Sequence, residues 1–66
     1  AIKISSEYIT LGQFLKFANL IYSGGEAKAY LADCVVVING ENDNRRGRKL
    51  RPNDVIETNG NVYKII

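Results

Sequence analysis

Sixty-six residues, 45% hydrophobic and 24% charged with one proline and six glycines, suit one small globular domain over 1–66 and are too apolar for a disordered tail. A formal net charge of +2, no histidine and a single cysteine exclude an intrachain disulfide, deny catalysis its commonest base and leave too few ligands for a zinc site. No apolar run approaches the roughly 20 residues of a bilayer span and no signal-peptide pattern opens the chain, so the expectation is a cytoplasmic protein that needs no membrane, cofactor or small-molecule substrate.

Ile2 and Ile4 alternate with polar residues, which predicts a short strand or extended arm over the first residues, paired with the other terminal strand. Thr10 is a good N-cap, and Gln13 stands three residues on, where a capping-box partner belongs. Leu11, Phe14, Leu15, Ala18 and Ile21 then form one apolar stripe on a 3.6-residue period, with Gln13, Lys16 and Asn19 off it. Ser23-Gly24-Gly25 is expected to stop this helix by supplying a left-handed residue. Glu26 opens a second, shorter helix whose dipole it complements, and Ala27, Tyr30, Leu31 and Cys34 repeat the apolar spacing. So short a turn implies a helical hairpin. Cys34, beside a β-branched run, reads as a small buried hydrophobe. A Gly-Gly pair at a helix mouth also suggests a phosphate cradle, but no nucleotide-binding glycine pattern surrounds it, and turn chemistry explains it better.

Val35-Val36-Val37-Ile38 is β-branched throughout and runs into Asn39-Gly40, a strong hairpin signal. The return, Glu41-Asn42-Asp43-Asn44, is polar and pairs only briefly. Arg51-Pro52-Asn53-Asp54 is a turn with proline at a favoured position and Asp54 bonding nearby backbone. Val55-Ile56-Glu57-Thr58, Asn59-Gly60 and a closing strand over residues 62–66 complete a second hairpin. The fold class is therefore α+β: a two-helix hairpin on a small, mostly antiparallel sheet.

Between the hairpins lies the most unusual stretch. Arg45, Arg46, Arg48, Lys49 and Arg51 are five of the nine basic residues of the chain, and no acid interrupts them. Leu50, the only large apolar residue between Ile38 and Val55, is expected to anchor this loop to the core. Arginine presents a fork suited to phosphate, so a basic loop on a small frame reads as a contact to a nucleic-acid backbone. Phe14 and Tyr30 are expected in the core, with Tyr22 and Tyr63 open to either role. Docking of the loop on an acidic protein partner, or DNA binding, remains open at this point. No carboxylate is spaced against a base or nucleophile, so an enzyme is not expected.

The sequence of motifs — helix, Ser23-x-x-Glu26-Ala27-Lys28, helix, Val37-Ile38-Asn39-Gly40, basic loop, Arg51-Pro52-Asn53-Asp54-Val55-Ile56 — resembles the S-four RNA-binding domain, or alpha-L motif. The resemblance covers about residues 10–57, with terminal strands in 1–9 and 62–66. Tyr8-Ile9-Thr10-Leu11-Gly12-Gln13-Phe14-Leu15-Lys16 looks closer still to small stand-alone bacterial members of YaaA type. It implies a non-catalytic module that binds structured ribosomal or transfer RNA, alone or on a ribosomal particle, through phosphate contacts. By position, Lys28 stands where the family's second helix usually carries Arg, and Lys49 and Arg51 match the basic residues before the Pro-x-Asp turn. Arg45, Arg46 and Arg48 enlarge that charge, with Lys16 in support. The family's first helix often opens Arg-Leu-Asp-Lys and its second Ser-Arg-Ser. Here Thr10-Leu11-Gly12-Gln13 and Ser23-Gly24-Gly25 stand instead, which shifts the burden to residues 45–51 and makes Gly24 and Gly25 candidates for backbone contact with phosphate.

Overall fold

A computed structural model describes residues 1–66. In chain order the elements are β1 (Ile9–Thr10), α1 (Leu11–Phe17), α2 (Glu26–Asp33), β2 (Val36–Ile38), β3 (Glu41–Asn42), β4 (Lys49–Leu50), β5 (Val55–Thr58) and β6 (Asn61–Lys64). Strands β3-β2-β5-β6 form a four-stranded antiparallel sheet, and β1 pairs with β4 in a separate two-stranded one. The architecture is a small α+β domain, as the sequence predicts. No helix is long and apolar enough to cross a membrane.

The start of α1 follows from its capping box. Thr10 Oγ1 accepts from the Gln13 amide at 3.3 Å while Gln13 Oε1 accepts from the Thr10 amide at 2.9 Å, satisfying two donors that have no helical partner. The end differs from expectation. The helix stops at Phe17, and Asn19, with φ +60°, supplies the left-handed residue. The Leu20 amide reaches back to Leu15 O and that of Asn19 to Lys16 O, the pair of bonds that defines a Schellman ending. The Gly24-Gly25 pair is not the stop: Gly25 caps α2 with right-handed φ −67°. Residues 18–25 therefore form a longer connection than a tight helical hairpin needs. It is fastened by the Glu26 carboxylate, which accepts the Tyr22 amide at 2.8 Å.

The two helices meet through a shared core of twelve buried residues, among them Leu11, Phe14, Leu15, Leu31, Ile38 and Ile56. Phe14 stands edge-on to Tyr63 of β6, ring centroids 5.2 Å apart. The Thr58 hydroxyl donates to Val35 O at 3.0 Å, which leaves it to accept from the half-buried Tyr30 hydroxyl at 2.8 Å, joining α2 to the sheet. Cys34 is exposed rather than buried. The backbone turns extended there, at φ −118° and ψ 146°, so the helical period that would have carried its side chain inward has already ended.

Both Asn-Gly pairs make tight hairpin turns with positive φ at each central residue, +52° and +84° at Asn39-Gly40 and +54° and +74° at Asn59-Gly60, as type I′ geometry requires. The N-terminal arm makes a single parallel bridge, Ile2 to Ile65, with the Ile2 amide on Lys64 O at 2.8 Å. The same terminal segment holds the Pro52 turn, since the Asn53 amide donates to Ile65 O at 2.8 Å.

Candidate nucleic-acid interface

Residues 45–51 are not a free loop. Lys49–Leu50 pairs with Ile9–Thr10 in register Ile9 to Leu50 and Thr10 to Lys49. Just beyond, the Leu11 amide donates to Arg48 O at 2.7 Å and the Gly12 amide to Arg46 O at 3.0 Å. The first amides of a helix lack partners within it. Here carbonyls of the basic segment take two of them, so the N-terminus of α1 holds the segment in place. Leu50, fully buried, pins it from beneath as expected. The approach is close enough to constrain α1 itself: a Cβ on Gly12 would stand 2.9 Å from Arg46 Cγ. The sequence shows Gly12 only as standing where the family's first helix often carries Asp, and gives no sign that it is the seat of Arg46.

Asp43 organises the front of the segment. Its carboxylate accepts from Arg45 Nη2 at 2.8 Å and Nε at 3.1 Å, from the Arg45 amide at 2.9 Å and from Arg48 Nε at 3.2 Å. Hydrogen bonds from the Arg45 guanidinium outweigh the opposing effect of burial, and with Arg48 they hold the Asp43 carboxyl well below the usual carboxylate range. Arg45 is raised in turn by that hydrogen bond. Two guanidinium groups on one carboxylate keep surplus positive charge, but in fixed positions. Asp54 closes the other end: burial raises its pKa, but the Arg51 amide, the Asn39 side chain and the charges of Arg48 and Arg51 together bring it below its ordinary value. Asn39 thus does more than turn the chain, since its Oδ1 also accepts the Val55 amide at 2.9 Å.

The remaining candidates fall into two groups. A shallow groove of about 480 Å³ runs between Gln13 and Lys16 of α1, Gly24 and Arg46. A second, of about 420 Å³, is lined by Lys28 and Leu31 of α2, Asn44 and again Arg46. Arg46 is common to both, so candidate residues of two helices, their connection and the basic segment converge on one side chain. A Cβ on Gly24 would meet nothing within 4 Å, and one on Gly25 only Ser23 Oγ at 3.9 Å, so this backbone is open to an approaching ligand. The other group is Lys49, whose Nζ lies 5.0 Å from the centre of the Tyr8 ring, and Arg51, whose Cζ lies 5.8 Å from it. Tyr8 was not singled out by sequence, where it follows Ser5-Ser6-Glu7 with no charge beside it that points to Lys49. Such a surface, cationic and forked, is chemically suited to oxyanions. No group of three His, Cys, Asp or Glu residues is gathered to hold a metal ion.

A family model described as the S4 domain matches residues 2–66. The chain is also similar to a protein of Bacillus subtilis (strain 168) named probable ribosome maturation protein RlbA, with 58% identity over 59 residues, 89% of this chain and 83% of that one. No solved structure gives a significant match.

Proposed function

Since the chain belongs to the S4 domain family, we propose that it is a non-catalytic, single-domain RNA-binding module over 1–66 that grips the phosphate backbone of structured RNA on a maturing ribosomal particle in the cytoplasm. The observation that carries the reading is the convergence on Arg46 of two grooves whose cations, Lys16 and Lys28, come from different helices. Three positive charges held apart on a rigid frame can meet successive phosphates of a folded strand, and RNA helices are recognised mainly by shape, phosphate and 2′-hydroxyl contacts. Lys49 and Arg51 extend the strip, and Gly24 and Gly25 offer unshielded backbone beside it. The name of the Bacillus subtilis relative supports a ribosomal particle as the partner. The non-catalytic reading rests on the two most enclosed carboxylates, Asp43 and Asp54, both of which are committed to bonds that fix the basic segment.

The test is a salt titration of binding to a ribosomal RNA fragment, transfer RNA and duplex DNA. With Lys16, Lys28, Arg46, Lys49 and Arg51 as phosphate contacts, the slope of log affinity on log salt is expected to be on the order of 3 to 5. Arg46→Ala should weaken RNA binding across sequences and reduce that slope by about 1. Stronger binding to duplex DNA would reassign the module. Absence of binding at low salt, with a protein partner retained after nuclease treatment, would make the basic strip a protein-docking surface.

A further inference from the structure

Three exposed aromatic rings lie outside the core: Tyr8, Phe17 and Tyr22. Phe14, Tyr30 and Tyr63 are accounted for by packing and by the hydroxyl bond to Thr58. Among the exposed three, Tyr8 alone has cations over its ring. It precedes β1 directly, and the β1–β4 register sets it across from Arg51 and diagonal to Lys49, within the reach of long side chains across a strand pair. Its ring is not among those packed on the core, its hydroxyl makes no hydrogen bond, and 38% of the residue is open to solvent.

We propose that Tyr8 is a stacking platform for one unpaired base of the bound RNA, with Lys49 and Arg51 receiving the phosphates on either side of that nucleotide. The inference rests on the RNA reading above and narrows it to RNA in which a bulged, looped or terminal nucleotide adjoins a helix. Two features of the geometry support it. The cations stand 5.0 and 5.8 Å from the ring centre, within the roughly 6 Å reach of a cation–π contact. Both belong to side chains with several rotatable bonds, so a base can take the ring face while the two charges swing outward onto its own phosphates. An aromatic face beside a cationic track is also how unpaired nucleotides are held without reading their identity, because every base has a π-face. A base inside a continuous helix is stacked on its neighbours and cannot use Tyr8; an extruded one can.

The experiment compares two RNA hairpins of equal phosphate number, one fully paired and one carrying a single bulged 2-aminopurine, titrated with the wild-type chain and with Tyr8→Leu and Tyr8→Phe at several salt concentrations. The expected result has three parts. Wild type binds the bulged hairpin about tenfold or more tightly than the paired one and quenches the 2-aminopurine fluorescence. Tyr8→Leu loses both the preference and the quenching while its binding to the paired hairpin and its salt slope are unchanged. Tyr8→Phe, which keeps the ring, retains all three. Equal weakening on both hairpins with a lower salt slope would overturn the proposal, because Tyr8 would then only position Lys49 and Arg51. So would a wild-type chain indifferent to the bulge. Failure to bind even the paired hairpin would instead remove the RNA reading itself. Since Tyr8 lies outside the core cluster, the unfolding temperature of both variants is expected to stay near that of wild type, and Tyr8→Phe reports on the ring should Tyr8→Leu fail to fold.

Discussion

Gly12 shows how one missing side chain can serve a site far away in the sequence. It lies in the first turn of α1, fully enclosed, with its amide on Arg46 O and no room for a Cβ beside Arg46 Cγ. Alanine there is favoured by helix propensity by about 0.5–1 kcal/mol, yet the new methyl must displace an arginine side chain. The two effects oppose each other, so the stability of Gly12→Ala is expected to change by no more than about 1 kcal/mol. Affinity for RNA should fall nonetheless, because Arg46 can no longer sit between the Lys16 and Lys28 grooves. Paired denaturation and binding measurements check this; full RNA affinity in a stably folded Gly12→Ala chain would show that the position of Arg46 does not matter. Lys16 and Arg46 could be named from the sequence as charges, but the glycine between them could not, since its role is to leave a space.

At the scale of elements, the β1–β4 pair is two residues long on each side and depends on Leu50 more than on its own hydrogen bonds. Leu50 is completely buried opposite Ile9, itself 6% exposed. Truncating it to alanine removes apolar burial and leaves a cavity, together worth roughly 2 to 5 kcal/mol, against a total of about 3 to 10 kcal/mol for a chain of this length. A urea titration of Leu50→Ala should show that loss as a lowered midpoint; an unchanged midpoint would mean the segment is held by its backbone bonds alone. This pair also marks where sequence reading ends. The capping box, both Asn-Gly hairpins and the Leu50 anchor were legible because each is a local pattern in which particular residue types satisfy particular backbone groups. The end of α1 was not: the apolar stripe continues to the buried Ile21, but Asn19 breaks the helix first, and asparagine accepts the left-handed turn that glycine was expected to make. Strand β4 was illegible because a charge run has no alternation, and its partner β1 lies about forty positions upstream. The convergence on Arg46 and the Tyr8 cluster are long-range for the same reason, so the sequence names the charged residues of the candidate site but not its geometry.

For the whole molecule, acid is the condition that tests how firmly the basic strip is linked to the frame. Asp43 fastens the strip at its front through Arg45 and Arg48, and Asp54 at its rear through the Arg51 amide and Asn39. Both carboxyl groups titrate lower in the folded chain than they would in an unfolded one, Asp43 by a wide margin. A group whose folded pKa is depressed stabilises fully above its unfolded value, about 3.9 for aspartate, and loses that contribution as the pH falls toward the folded one. Thermal stability is therefore expected to be nearly level from pH 7 to about 5 and to fall below about pH 4. Asp43→Asn cannot make the charged bonds to Arg45 and Arg48 at any pH, so it should start lower at neutral pH and fall less steeply in acid. The two curves should draw closer as the pH falls below about 4, where the unfolded wild type binds a proton that folded Asp43 does not. Unfolding temperatures recorded at intervals from pH 7 to 2.5 separate this from a general effect of net charge, because protonation of the remaining carboxylates affects both chains alike. Parallel curves that never approach each other would show that the Asp43 cluster, however well formed, does not couple the strip to the fold.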